Sequence, residues 1–284
     1  MRLLRTSFFA LACLIWWGNA FAEGSASPRI VSLKPNVTEI LFSLGLGEQV
    51  VGVTNYCDFP EGAKAKAKVG SFLEPNVEAI IALKPTLVLG ENSGSREPVV
   101  QLQRLGLNVH MLKFEKLEDL YGSIAKIGEL TQRQIEADAL VKTLRAGLQT
   151  KRHFLRAIPT LVVVGKEPLM AVGNGNFIGE MLGQLGAENI AADGVSAFPR
   201  FSEEALIARK PEVVIDVSMG SEDVRLRKKR GDSFWQRFRS VPAIKNKKVY
   251  YLNPDVVLRP GPRLVEGFRE IERAVHGNHG SDAT

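Results

Sequence analysis

The sequence predicts an α/β protein of two lobes joined by one long helix, and three observations predict it. Short β-rich runs alternate with helical patterns from Arg29 to Lys113 and again after Pro159, which is the pattern of a mostly parallel sheet covered on both faces. Between Leu117 and Ala157 the alternation stops, and Leu120, Ile124, Ile127, Ile135, Leu140, Leu144 and Leu148 recur at mostly helical spacing with no proline. One stretch then occurs once on each side of that break, as VEAIIALKPTLVLG at 77–90 and EEALIARKPEVVID at 203–216.

The elements follow in chain order. Arg2 and Arg5 precede an apolar run from Phe8 to Trp17, and Ala20-Phe21-Ala22 places small residues where a signal peptidase cuts. Residues 1–22 therefore read as a secretory leader cleaved near Ala22, the run being shorter than the ~20 residues that span a bilayer. Cys13 lies inside the run rather than at its end, which makes a poor lipid-attachment site. Arg29 to Leu33 reads as a strand, Asn36 with Glu39 as a capping box opening a helix, and Gly45 and Gly47 as its end. Strands are expected at Val50–Val53, Thr86–Leu89 and Asn108–Lys113, with a helix around Glu97–Leu105. Residues 23–117 make the first lobe and 118–157 the connector, which Thr131 interrupts; Gln132–Ala157 alone would be a rod of roughly 40 Å at helical rise. In the second lobe, 158–284, strands are expected at Thr160–Val164, Val213–Val217 and Lys248–Leu252, and helices at Asn176–Leu185 and Gly261–Val275.

Beyond the leader the chain keeps one cysteine, Cys57, so its stability comes from packed core and not from disulfides. The net charge is +6, of which the leader's two arginines supply two, leaving a mild +4. The dense run Arg225-Leu226-Arg227-Lys228-Lys229-Arg230 lacks interleaved aromatic residues and reads as a solvated loop or helix end rather than a nucleic-acid surface. His110, His153, His276 and His279 show no paired ligand spacing, and the last two fall in a tail expected to fray, so no metal site is expected.

Aligned without gaps, the repeated stretches are identical at Glu78/Glu204, Ala79/Ala205, Ile81/Ile207, Ala82/Ala208, Lys84/Lys210, Pro85/Pro211 and Val88/Val214. Asn76 and Ser202 are N-caps, which puts each glutamate in the first turn of a short helix that the proline ends. The helix dipole alone accounts for such an acid at ~0.3–1 kcal/mol. The other reading is two charged pegs, one per lobe, presented to a two-fold symmetric partner.

The segments RIVSLKPNVTEILFSLGLGEQVVGVTNYCDFP, NVEAIIALKPTLVL, GNGNFIGEMLGQLGAENIA, FPRFSEEALIARKPEVVI and RPGPRLVEGFREI together resemble the cobalamin-binding periplasmic proteins of bacterial ABC importers, over nearly the whole chain after the leader. The resemblance places the chain in the wider group that binds cobalamin, haem and ferric siderophores. It implies a periplasmic monomer with two Rossmann-like lobes, bridged by one long helix, that hold a ligand in the cleft between them and move little on binding. It also implies a permease dimer as partner, docked through Glu78 and Glu204. The ligand would be cobalamin, with no resident cofactor and no nucleic-acid partner.

Tyr56 falls where the cobalamin binders carry a pocket tyrosine, and Phe72 and Phe198 where they carry tryptophans; apolar and aromatic faces suit a large flat ligand. Two departures keep a ferric siderophore or haem open as alternatives. Gly90-Glu91-Asn92 stands where a further tryptophan is expected, and Val256-Val257 follow Asp255 where aromatic residues are expected. Arg259, in the turn RPGPR, resembles siderophore binders, where a guanidinium holds a carboxylate or catecholate; a surface or turn-capping arginine is the plainer alternative. Outside the group, the alternative is an exported α/β hydrolase with Glu91, Asp216 and Asp255 as acids. No G-x-S-x-G, H-E-x-x-H, C-x-x-C or Walker-type loop supports it, and the chain is read as a binder, not an enzyme.

Overall fold

A computed structural model describes residues 27–92, 96–150, 154–194, 196–218 and 224–277, with the side chains of 96, 224–227 and 230 outside that description. The expected leader, His153, His279 and most of the basic run's side chains therefore lie outside the described residues.

The first lobe runs β1 (Ile30–Ser32), α1 (Pro35–Ser43), β2 (Val50–Val53), α2 (Glu61–Lys64), β3 (Ala67–Lys68), α3 (Val77–Ala82), β4 (Leu87–Glu91), α4 (Arg96–Arg104) and β5 (Val109–Leu112). Its five strands form a fully parallel sheet in the order β3-β2-β1-β4-β5. Central β1 is buried at every residue, as a strand covered on both faces must be. Helix α1 starts one residue earlier than expected, with Pro35 in its first turn, and no capping box forms. Asn36 and Glu39 are instead buried inside the helix and used by tertiary contacts. Gly45 ends α1 and Gly106 ends α4 with positive φ, and each allows the two reverse bonds that close a helix C-terminus, Gly45 N to Phe42 O with Leu46 N to Leu41 O, and Gly106 N to Gln103 O with Leu107 N to Leu102 O.

The helical stretch after β5 is divided. Helix α5 (Leu117–Thr131) and helix α6 (Gln134–Gly147) are separated at Gln132, whose φ of 58° is left-handed. They pack against each other antiparallel: Arg145 of α6 reaches back 2.7 Å to Glu118 at the start of α5, and Gly128 gives Ala137 room, since a Cβ there would come within 2.6 Å of it. The connector is a helical hairpin rather than one rod reaching Ala157.

The second lobe has β6 (Ile158–Lys166), β7 (Leu169–Ala171), α7 (Phe177–Gln184), β8 (Ala187–Asn189), α8 (Glu203–Arg209), β9 (Val213–Asp216), α9 (Val224–Trp235), a 3-10 turn (Gln236–Phe238), α10 (Pro242–Lys245), β10 (Val249–Tyr251), α11 (Pro254–Val257) and α12 (Leu264–His276). The sheet order is β10-β9-β6, with β8 parallel to the first half of β6 and β7 antiparallel to its second half. The basic run lies in α9, where Lys228 and Lys229 are exposed. His276 is held in α12 rather than in a frayed tail: it stacks on Phe154 at 4.4 Å, and its Nε2 lies 2.7 Å from the Leu185 carbonyl.

One hydrophobic cluster runs through both lobes. It takes Ile40 and Leu41 from α1, Ile124 from α5, Ile178 from α7, and Phe268 and Ile271 from α12. Lobes that share a core are held as one body over this region, because separating them would expose apolar surface at about 25 cal/mol per Å².

Candidate functional site

In parallel α/β sheets, ligands bind beyond the carboxyl ends of the strands. In the first lobe those ends carry Lys34 after β1, Tyr56 to Phe59 after β2, Phe72 after β3 and Glu91 at the end of β4. Tyr56 is 54% and Phe59 44% exposed, two large apolar side chains on the one segment after β2. Phe72 meets the Tyr56 ring edge-on at 5.5 Å, and the Lys34 ammonium sits 4.1 Å from its centroid. Lys34 is also 3.8 Å from Glu91, whose carboxylate accepts from the Asn36 amide at 3.3 Å. Burial pushes the Lys34 ammonium below its ordinary value, and the Glu91 charge partly offsets this. The Phe72 ring is thus fixed from its own side before a ligand arrives.

Phe198 stands on the second lobe, 42% exposed, between β8 and α8, with its N–H donating to Ser196 Oγ at 3.2 Å. Among the described residues no ring contact joins it to Tyr56 or Phe72.

Asp255 and Arg259 meet at the junction of the lobes. The Arg259 guanidinium lies 2.8 Å from Asp255 of its own lobe, 2.9 Å from Asp58 and 3.6 Å from Glu39 of the other. Arg263, four residues on, donates from Nε at 2.8 Å and Nη2 at 2.6 Å to the two oxygens of Glu39, a bidentate pair. It also covers the Phe59 ring at 4.0 Å. Burial works to raise the Asp58 carboxyl, but its hydrogen bond to Arg259 and the two guanidinium charges hold it below the usual carboxylate value. Five charged groups from both lobes therefore form one ion-pair network where the lobes meet.

Asn76 and Ser202 cap α3 and α8 as expected, accepting from Ala79 N at 2.9 Å and Ala205 N at 3.1 Å. Glu78 and Glu204 stand exposed on the first turns of these helices. Lys34, Phe59, Glu39 and Arg263 were not legible as site residues. Lys34 had one signal, its place just after the first strand, where a ligand-facing residue belongs.

Several other polar groups have structural occupations. The Cys57 thiol is buried, 3.1 Å from the hydroxyls of both Thr38 and Thr54. Asn176 accepts from Ile178 N and Gly179 N at 3.0 Å and so satisfies the start of α7 that might otherwise cradle an anion. Asp216 is 2% exposed and bound by Lys166 at 3.0 Å and the Trp235 indole at 3.2 Å. Glu91, Asp216 and Asp255 each have a cation of their own and form no acid–base pair. Among the described residues no three His, Cys, Asp or Glu side chains are grouped to hold a metal ion.

A protein-family model described as "Periplasmic binding protein" matches residues 30–256. Over 259 residues the chain is 33% identical to an uncharacterized ABC transporter substrate-binding lipoprotein of Bacillus subtilis, covering 87% of this chain and 80% of that one. It is 30% identical over 250 residues to a vitamin B12-binding protein of Yersinia pestis, covering 87% and 85%. Its fold superposes with a TM-score of 0.77 on the periplasmic haem-binding protein RhuT of Roseiflexus, at 26% identity and with 88% and 98% of the chains covered.

Proposed function

The chain belongs to the periplasmic binding protein family, extracytoplasmic substrate-binding proteins of ABC transporters and not enzymes, and on that premise we propose that it captures cobalamin and delivers it to its importer. The observation that carries the ligand choice is the state of Arg259. A catecholate or haem propionate needs a free cation, and this guanidinium is already met by Asp58, Asp255 and Glu39. An anionic chelate would have to displace carboxylates that then lack a partner, whereas a corrin ring rimmed with neutral amides asks for no such exchange. Tyr56, Phe72 and Phe198 supply aromatic faces for it, and the likeness to a vitamin B12-binding protein agrees with this reading.

Haem is the second reading, favoured by one feature: the exposed Tyr56 phenol, a side chain able to ligate haem iron. Delivery is assigned to Glu78 and Glu204, one exposed carboxylate on each lobe at the same place in a repeated stretch.

Calorimetric titration of residues 23–284 with cyanocobalamin, haemin and a ferric catecholate tests the ligand. One-to-one cobalamin binding, weakened about tenfold or more by Tyr56→Ala or Phe72→Ala, is expected. Binding of haemin or the catecholate without cobalamin would overturn it.

A further inference from the structure

The repeated stretch carries more than its two glutamates. Of the five pairs buried in both copies four differ, Ile80 against Leu206, Leu87 against Val213, Leu89 against Ile215 and Gly90 against Asp216, and one agrees, Val88 with Val214. The four pairs exposed in both copies all agree: Glu78 and Glu204, Ile81 and Ile207, Ala82 and Ala208, Lys84 and Lys210. Packing constrains buried positions and leaves exposed ones free, so identity at every pair exposed in both copies is not explained by the fold. Ile81 is 41% and Ile207 48% exposed. Each lies three residues after its glutamate and so on the same helix face.

The lysines point the same way. Lys84 and Lys210 both have left-handed backbone, at φ 46° and 49°. That conformation disfavours residues other than glycine by about 1–2 kcal/mol, yet both copies keep a side chain there. Neither lysine is ion-paired among the described residues, and neither is Glu78 or Glu204, although Glu203, the neighbour of Glu204, is bound to Arg237 at 2.7 Å.

We propose that Ile81 with Lys84, and Ile207 with Lys210, extend the two docking glutamates into two copies of one epitope, each seated on an equivalent half of the importer's membrane-embedded permease. Each half then presents a cation to the glutamate, an apolar socket to the isoleucine and a carboxylate to the lysine. Lone exposed apolar residues are ordinary on a protein surface; Leu105 and Ile135 are examples. What sets Ile81 and Ile207 apart is their recurrence beside the same charges. The proposal rests on the docking role given to Glu78 and Glu204.

The test is site-specific photo-crosslinking in cells that carry the importer, with a benzophenone amino acid in place of Ile81, Ile207, Leu105 or Ile135. Light-dependent adducts from both Ile81 and Ile207 to the same permease polypeptide, and none from Leu105 or Ile135, are expected. Adducts from neither position, from only one, or equally from the control positions would overturn the proposal. In parallel, Ile81→Ser/Ile207→Ser is expected to weaken binding to the importer in nanodiscs by on the order of tenfold or more, with the melting temperature unchanged. If Glu78→Arg/Glu204→Arg abolishes binding while the serine pair binds normally, docking through the glutamates stands and the wider epitope fails. If both pairs bind normally, both readings fail.

Discussion

Replacing Arg263 by leucine removes the tightest fastening between the lobes. Glu39 is 3% exposed and both its oxygens accept from Arg263, at 2.8 and 2.6 Å. Breaking a buried pair from one side leaves an uncompensated charge and costs about 3–5 kcal/mol. Arg259 remains 3.6 Å from the same carboxylate, which places the expected loss near the lower end, about 3 kcal/mol. The lost cover over Phe59 adds roughly 0.5–1 kcal/mol. Against a total of about 5–15 kcal/mol that is a large share. Glu39→Leu/Arg263→Leu, which removes both charges, should return to within about 1 kcal/mol of the parent. Urea unfolding of residues 23–284, followed by Trp235 fluorescence and by far-ultraviolet circular dichroism, reads both values, because Trp235 is the only tryptophan in that span and sits in the second lobe. The two probes should coincide in the parent and separate in Arg263→Leu, whose lobes are less firmly joined. A loss below about 0.5 kcal/mol in Arg263→Leu, or a double variant no better than the single one, would refute the role given to this pair.

Two further outcomes follow from the packing and from charge. Gly267→Ala drives a Cβ into the Val256 carbonyl oxygen, backbone that cannot yield, so the α11–α12 contact should lose about 1–3 kcal/mol in the same unfolding assay. Burial, with Glu266 beside it, raises the Glu270 carboxyl above its ordinary 4.5, and one of its oxygens is buried without a partner. A carboxyl raised in the folded state adds no penalty below its unfolded value; the penalty grows as pH rises from that value to the folded one and is complete above it. Glu270→Gln should therefore stabilise by a few tenths to about 1 kcal/mol at pH 7, with the gain gone near pH 4, as urea midpoints at the two pH values would record.

The alternation of strands and helices was legible because buried strands such as β1 and β9 open on runs of β-branched apolar residues and the glycines that end α1 and α4 stand where a left-handed residue is needed. An interruption beside Thr131 was legible too, but not its form: a non-glycine residue, Gln132, takes the left-handed turn, and α6 folds back on α5 at Gly128. Antiparallel β7 and the two-residue β3 are too short to carry periodicity. In the site, Tyr56 and Phe72 were accessible through local motifs. The pairing of Glu39 with Arg263 spans 224 residues, and nothing local to either position announces it. Asn36 and Glu39 have the spacing of a capping box, but the proline before them starts the helix and frees both for tertiary use.

Uptake of radiolabelled cyanocobalamin tests capture and delivery most directly, in cells with the chain, without it, and with Glu78→Arg/Glu204→Arg. Uptake should depend on the chain and fall to the level of its absence in the charge-reversed variant, while that purified variant still binds cobalamin as the parent does. Undiminished uptake without the chain, or full uptake through the reversed variant, would contradict it.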